Sequence, residues 1–117
     1  MHTIAVVDDD PSVLRGLSRL LSAHGFRVQT FASAELFLHD IATCEADCLL
    51  LDIHLGGMSG IDLKRKLTSS GSDLPVIFMT AIDAGATRQE ALSAGCVAYL
   101  TKPFLAKLLI DAIDSIV

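Results

Sequence analysis

Two apolar runs that end in aspartate decide the fold: Thr3-Ile4-Ala5-Val6-Val7-Asp8-Asp9 and Cys48-Leu49-Leu50-Leu51-Asp52. Apolar at consecutive positions and this short, each reads as a strand buried on both faces, the kind found in parallel sheets. In an open parallel sheet, ligands bind outside the carboxyl ends of the strands. Asp8, Asp9 and Asp52 therefore belong on the rim where such a fold does its chemistry, and they are expected to converge.

Convergence has a physical consequence. Two carboxylates about 4 Å apart repel by roughly 4 kcal/mol at an effective dielectric near 20. Three tolerate one another only when a cation sits among them or a proton is taken up. A pocket of carboxylate oxygens suits a hard divalent ion, Mg²⁺ before Zn²⁺. A loop that merely caps the next helix would explain one aspartate: Asp10, followed by Pro11, fits an N-cap with proline at the first helical position. Asp8 and Asp9 are left for the metal.

Two further strand ends join this rim. Leu74-Pro75-Val76-Ile77-Phe78-Met79 leads into Thr80-Ala81, and Val97-Ala98-Tyr99-Leu100-Thr101 runs into Lys102-Pro103-Phe104. A hydroxyl and an ammonium thus accompany the carboxylates. Between the strands lie helical stripes. Val13, Leu14, Leu17, Leu20 and Leu21 form one that Gly25 stops, and Phe26 to Phe31 reads as another strand. Ser33 opens a helix with Ala34, Phe37, Leu38 and Ile41 on its apolar face. A third helix is expected from about Ser59 to Thr68, burying Ile61 and Leu67. A fourth, from about Ala84 to Ala94, has few large apolar residues. The last carries Leu105, Leu108, Leu109, Ala112, Ile113 and Ile116 as a continuous stripe. Strict alternation of strand and helix predicts a doubly wound parallel sheet.

The 117 residues suffice for one core and not for two, and a hydrophobic fraction of 51% suits a buried central sheet. No signal peptide precedes the first strand, and no apolar stretch approaches the ~20 residues that cross a bilayer. The expectation is a cytoplasmic domain without membrane contact. A net charge of −5 argues against direct nucleic acid binding. Lys64-Arg65-Lys66 reads as a solvated face. Cys44, Cys48 and Cys96 contain no Cys-x-x-Cys and are expected to be reduced thiols.

Taken together, Asp8-Asp9, Asp52 after three leucines, Met58-Ser59-Gly60, Thr80-Ala81, Tyr99 and Lys102-Pro103-Phe104 resemble the response-regulator receiver domain of bacterial two-component systems. The segments Ser33-Ala34-Glu35-Leu36-Phe37-Leu38 and Ala94-Gly95-Cys96-Val97 look most like the nitrogen-fixation regulator (FixJ) type. The resemblance implies a flavodoxin-like five-stranded sheet, order 2-1-3-4-5, with five helices on both faces. It implies that residues 1–117 are a receiver domain, the N-terminal part of a longer regulator. Asp52 would be the phosphoacceptor for the phosphohistidine of a sensor histidine kinase, catalysing only its own phosphorylation and dephosphorylation. Mg²⁺ would be held by Asp8, Asp9, Asp52 and the His54 backbone carbonyl. Lys102 and Thr80 would contact phosphoryl oxygens, Thr80 and Tyr99 would switch, and the Lys102-Pro103 bond would be cis. The fourth helix, fifth strand and fifth helix would form an output face controlling dimerisation and, through a linked DNA-binding domain, transcription. His54 and Ile82, two positions after Asp52 and Thr80, would flank the water that ends the signal and so tune its lifetime.

The chain departs from the family in one loop: Leu55-Gly56-Gly57 stands where receivers often carry Met-Pro, predicting a looser or differently turned loop. A haloacid-dehalogenase-type Mg²⁺-dependent phosphatase also uses an aspartate after an apolar strand. It needs a second aspartate two residues on, where this chain has His54. Gly56-Gly57-Met58-Ser59-Gly60 lacks the spacing of a nucleotide-binding loop. A stand-alone protein-binding receiver without DNA-binding output is the remaining alternative.

Overall fold

Strand and helix alternate from end to end. The computed structural model describes residues 1–117. Its strands are β1 (Thr3–Val7), β2 (Arg27–Phe31), β3 (Cys48–Asp52), β4 (Val76–Thr80) and β5 (Ala98–Thr101). Its helices are α1 (Pro11–Ala23), α2 (Ala34–Asp40), α3 (Gly60–Ser69), α4 (Gly85–Ala94) and α5 (Ala106–Asp114). All neighbouring strands pair in parallel, in the order β2-β1-β3-β4-β5. This is the flavodoxin-like arrangement implied by the sequence.

Successive side chains on a strand point to opposite faces, so the central strands feed two cores. Val7, Leu51 and Phe78 pack with Phe37 of α2 and with Ile61, Leu63 and Leu67 of α3. Val6, Leu50 and Ile77 pack with Leu17 and Leu21 of α1 and with Leu109 and Ile113 of α5. Burying one such side chain contributes about 1.5–3 kcal/mol. With every residue of β1, β3 and β4 buried, these strands have no solvated face to offer.

Helix starts follow local chemistry. Asp10 Oδ1 accepts from the Ser12 N–H at 2.9 Å, with Pro11 first in α1. Ser33 Oγ and Ser59 Oγ accept from the Leu36 and Asp62 N–H groups, each at 3.1 Å. Such caps contribute about 1 kcal/mol each. In contrast, α4 and α5 start at Ala84 and Leu105 without a side-chain cap. Helix α4 is also thinly anchored: Ala91 alone is buried, and Leu92 points into solvent.

Helix α5 differs from its sequence pattern. Leu109 and Ile113 are buried, but Leu105 and Leu108 are 72% and 51% exposed. The apolar stripe is wider than the sheet surface available to cover it. The third helix gains a buried residue that spacing did not single out, Leu63. No helix is long and apolar enough to cross a membrane.

Strand register builds the rim. Val7 aligns with Leu51, so Asp8 follows beside Asp52. Asp52 aligns with Met79, and Thr80 aligns with Thr101, one residue before Lys102. Helix α3 closes tightly on this edge: the Gly60 N–H donates to Ile53 O at 3.0 Å. A Cβ at Gly60 would collide with the Asp52 backbone carbonyl. Backbone cannot rotate away as a side chain can, so Gly60→Ala should destabilise the domain by about 1–3 kcal/mol. A urea unfolding midpoint equal to that of the parent would contradict this.

Candidate functional site

The rim gathers the charged residues named from sequence. One carboxylate oxygen from each of Asp8, Asp9 and Asp52 lies within 4.8 Å of the others. Asp8 is fully buried, Asp52 nearly so, and Asp9 is exposed. Asp8 divides its oxygens between two donors: Oδ1 accepts from the Asp10 N–H at 2.9 Å, and Oδ2 accepts from Lys102 Nζ at 2.6 Å. Asp52 Oδ1 accepts from the His54 N–H at 3.1 Å, while its Oδ2 stands 3.5 Å from Lys102 Nζ. Lys102 is thus shared between two buried carboxylates and lies closer to Asp8.

The electrostatics follow from that crowding. Burial, then the neighbouring Asp8 charge, pushes the Asp52 carboxyl above the usual aspartate range; Lys102 and the His54 N–H oppose the rise. For Lys102, burial disfavours the charge. The Asp8 hydrogen bond and the Asp52 and Asp8 charges outweigh it and hold the ammonium above the usual lysine range. One ammonium against three carboxylates leaves two charges uncompensated. An all-oxygen donor set with that residual charge fits a hard divalent cation.

Thr80 is fully buried, and its hydroxyl is already engaged in a local turn: Oγ1 donates to Ile82 O at 2.9 Å and accepts from the Ile82 N–H at 3.1 Å. Tyr99 is half-buried on β5. Its hydroxyl lies 3.5 Å from Asp83 Oδ1, at the long limit for a hydrogen bond, and the Arg88 guanidinium sits 5.1 Å from the ring centroid. Arg88 also pairs with Asp83 at 3.5 Å. Ile82 and His54 are exposed, and the Lys102-Pro103 bond is cis.

Sequence reasoning did not single out Asp83, in the turn between β4 and α4, or Arg88, in the first turn of α4, both of which reach Tyr99. It also missed a contact of Glu35. Glu35 Oε2 accepts from the Met58 N–H at 3.0 Å across 23 positions of chain. That hydrogen bond, then one from its own backbone N–H, holds the Glu35 carboxyl below the usual glutamate range. An acidic residue in the first turn of a helix was the one local sign of it. The cysteines are all free, and burial drives the Cys48 thiol up to about 12, an inert core position.

This fold has close counterparts. The chain belongs to the response regulator receiver domain family, whose pattern matches residues 4–114. Response regulator protein TmoT of Ectopseudomonas mendocina is 40% identical over 110 residues, covering 94% of this chain and 50% of TmoT. Transcriptional regulatory protein TdiR of Thauera aromatica is 34% identical over 113 residues, covering 97% of this chain and 50% of TdiR. The crystal structure of FixJ-N superposes with a TM-score of 0.90 at 32% identity, covering 97% of this chain and 91% of that one. The chain spans about half the length of the curated relatives it matches. These relatives are regulators, not catalysts of a metabolic reaction. Receiver domains bind Mg²⁺ at an acidic pocket, and the Asp8, Asp9 and Asp52 cluster could hold such an ion.

Proposed function

We propose that Asp52 is the phosphoacceptor of a two-component response regulator, taking its phosphoryl group from the phosphohistidine of a sensor histidine kinase. The observation that carries this reading is the position of Asp52 at the end of β3, with Lys102 3.5 Å from its Oδ2 and two further carboxylates alongside. A carboxylate oxygen of Asp52 forms the new O–P bond as the donor's N–P bond breaks, and the imidazole nitrogen leaves with the electron pair. Phosphoryl transfer asks mainly for an in-line nucleophile and for charge on the equatorial oxygens to be neutralised. Lys102 supplies one positive charge there, and the Thr80 hydroxyl supplies a hydrogen bond once it leaves Ile82. Asp8, Asp9, Asp52 and the His54 backbone carbonyl would hold Mg²⁺, which when bound supplies further positive charge to those oxygens. The domain catalyses only its own phosphorylation and dephosphorylation. Family membership, with His54 where a dehalogenase-type phosphatase needs an aspartate, favours this reading over that enzyme.

Intact mass after incubation with acetyl phosphate and Mg²⁺ tests the chemistry. The parent should gain one phosphoryl group, Asp52→Asn none, and Asp9→Ala should lose Mg²⁺ binding together with uptake. Undiminished uptake in Asp52→Asn would move the acceptor elsewhere.

Residues 1–117 are then the N-terminal receiver domain of a longer regulator. A DNA-binding output domain fits the name of TdiR and the half-length match. A phosphorylated aspartate brings roughly −1.5 to −2 charge. Thr80 turns toward it, and Tyr99 moves into the space vacated, repacking the face formed by α4, β5 and α5. Exposed Leu92, Leu105 and Leu108 make that face suited to pairing with a second copy. Sedimentation with a phosphoryl analogue should show a dimer where the free domain is a monomer. A monomer in both states would assign the face to an output domain or another protein.

His54 and Ile82 flank the approach of hydrolytic water. Ile82 is 60% exposed and offers that water no hydrogen bond. Ile82→Asn should shorten the lifetime of the phosphorylated form, and His54→Ala should change it. Decay curves in Mg²⁺ buffer that overlay the parent would remove each side chain from this role.

A further inference from the structure

Apart from the side chains of Leu55 and Met58, which pack on the core, the turn that follows Asp52 has little of its own to hold it. Leu55 is tucked into the core, and Gly60 is locked against the Asp52 carbonyl. Between them run Gly56 and Gly57, which lack the fixed backbone torsion of proline and the packing of a side chain. The backbone of residues 55–58 makes a single hydrogen bond within the protein, from the Met58 N–H to Glu35 Oε2 at 3.0 Å.

The turn is shaped to receive that carboxylate. Gly57 has φ +92°, a conformation that L side chains rarely adopt, and it directly precedes Met58. A Cβ on Gly57 would stand 2.9 Å from Glu35 Oε2. The missing side chain and the left-handed torsion are therefore what allow the carboxylate to sit over the turn. Glu35 itself comes from the first turn of α2, a helix whose capping is already supplied by Ser33. Its carboxylate is free to serve another element.

We propose that Glu35 is a positioning residue for phosphoryl transfer, fixing the turn after Asp52 through the Met58 amide. The proposal rests on the phosphoacceptor reading of Asp52. The chain of contact is short. His54, four residues before Met58, donates its N–H to Asp52 Oδ1 at 3.1 Å, and its carbonyl belongs to the proposed metal site. A turn released at Met58 lets His54 drift. Small misplacement of a reacting group is enough to slow a reaction that depends on alignment. The carboxylate also ties α2 to the acceptor loop, so movement of α2 is felt at Asp52.

The test uses the 117-residue chain with Glu35→Ala, Glu35→Gln and Gly57→Ala. Amide hydrogen exchange at Met58 should quicken about tenfold in Glu35→Ala, the loss expected for a hydrogen bond to a charged acceptor. Phosphoryl uptake from acetyl phosphate with Mg²⁺ should slow by roughly tenfold, as when a group supporting a metal ligand is removed. Glu35→Gln keeps an acceptor oxygen and should recover most of both, which loss of a merely structural residue would not predict. Gly57→Ala displaces the carboxylate without removing it and should reproduce the Glu35→Ala behaviour. Parent-like exchange at Met58, or quickened exchange with parent-like uptake, overturns the positioning role. A parent that takes up no phosphoryl group overturns the acceptor reading and this proposal with it, whereas normal uptake unaffected in Glu35→Ala overturns the proposal alone.

Discussion

The site depends on one arrangement: two buried carboxylates, Asp8 and Asp52, sharing the ammonium of Lys102. Carboxylates withdrawn from water are strongly unfavourable without a partner, and a buried pair is tolerated only when hydrogen bonds satisfy the remaining lone pairs. Here they do. The Asp10 N–H occupies the second oxygen of Asp8, and the His54 N–H occupies the second oxygen of Asp52. The acidic rim can therefore be assembled before any cation or phosphoryl group arrives. Burial, then the Asp8 charge, still keeps the Asp52 carboxyl above the usual aspartate range. The three carboxylates beside one ammonium form a donor set that could hold a divalent ion.

Most of this was legible in the sequence because it rests on short-range signals. Uninterrupted apolar residues in 4–7 and 48–51, too short for helices and ended by aspartate, read as strands covered on both faces, and covering both faces of a parallel sheet calls for helices on each side. Asp10-Pro11, Ser33 and Ser59 mark helix starts by chemistry confined to a few residues, and each does cap its helix. Because ladder pairing advances strand by strand, residues that end neighbouring strands must share one rim. The convergence of Asp8, Asp9, Asp52, Thr80 and Lys102 is a consequence of topology, and topology was readable.

What was not legible depends on partners far away in sequence. An apolar stripe on a helix states what could be buried, not how much surface exists to bury it, and Leu105 and Leu108 remain in water for that reason. The sequence places Lys102 on the rim but does not say that it will sit nearer Asp8 than Asp52. The same holds for Glu35 and Met58, joined across two elements of the fold. Double glycine suggested a looser or differently turned loop, and the one backbone hydrogen bond of that loop runs outside it, to Glu35. Local flexibility is a statement about the segment alone, and Glu35 is not part of the segment.

The two donors proposed for phosphoryl oxygens, and the tyrosine proposed to switch with them, already have partners in this structure. Lys102 is held by Asp8 and the Thr80 hydroxyl by the Ile82 backbone, while Tyr99 lies against Arg88 and Asp83. A phosphoryl group can change the conformation only by the difference between what it gains from these donors and what they give up. Exposed contacts are the cheapest to surrender, and those around Tyr99 are the most exposed of the set. They also border α4, which starts without a side-chain cap and buries only Ala91. Stability across a fold is uneven, and elements that move come from its weaker end. The fully buried Asp8 thus anchors the site through Lys102, while the turn after Thr80 and the start of α4 hold the fewest apolar contacts to resist any change.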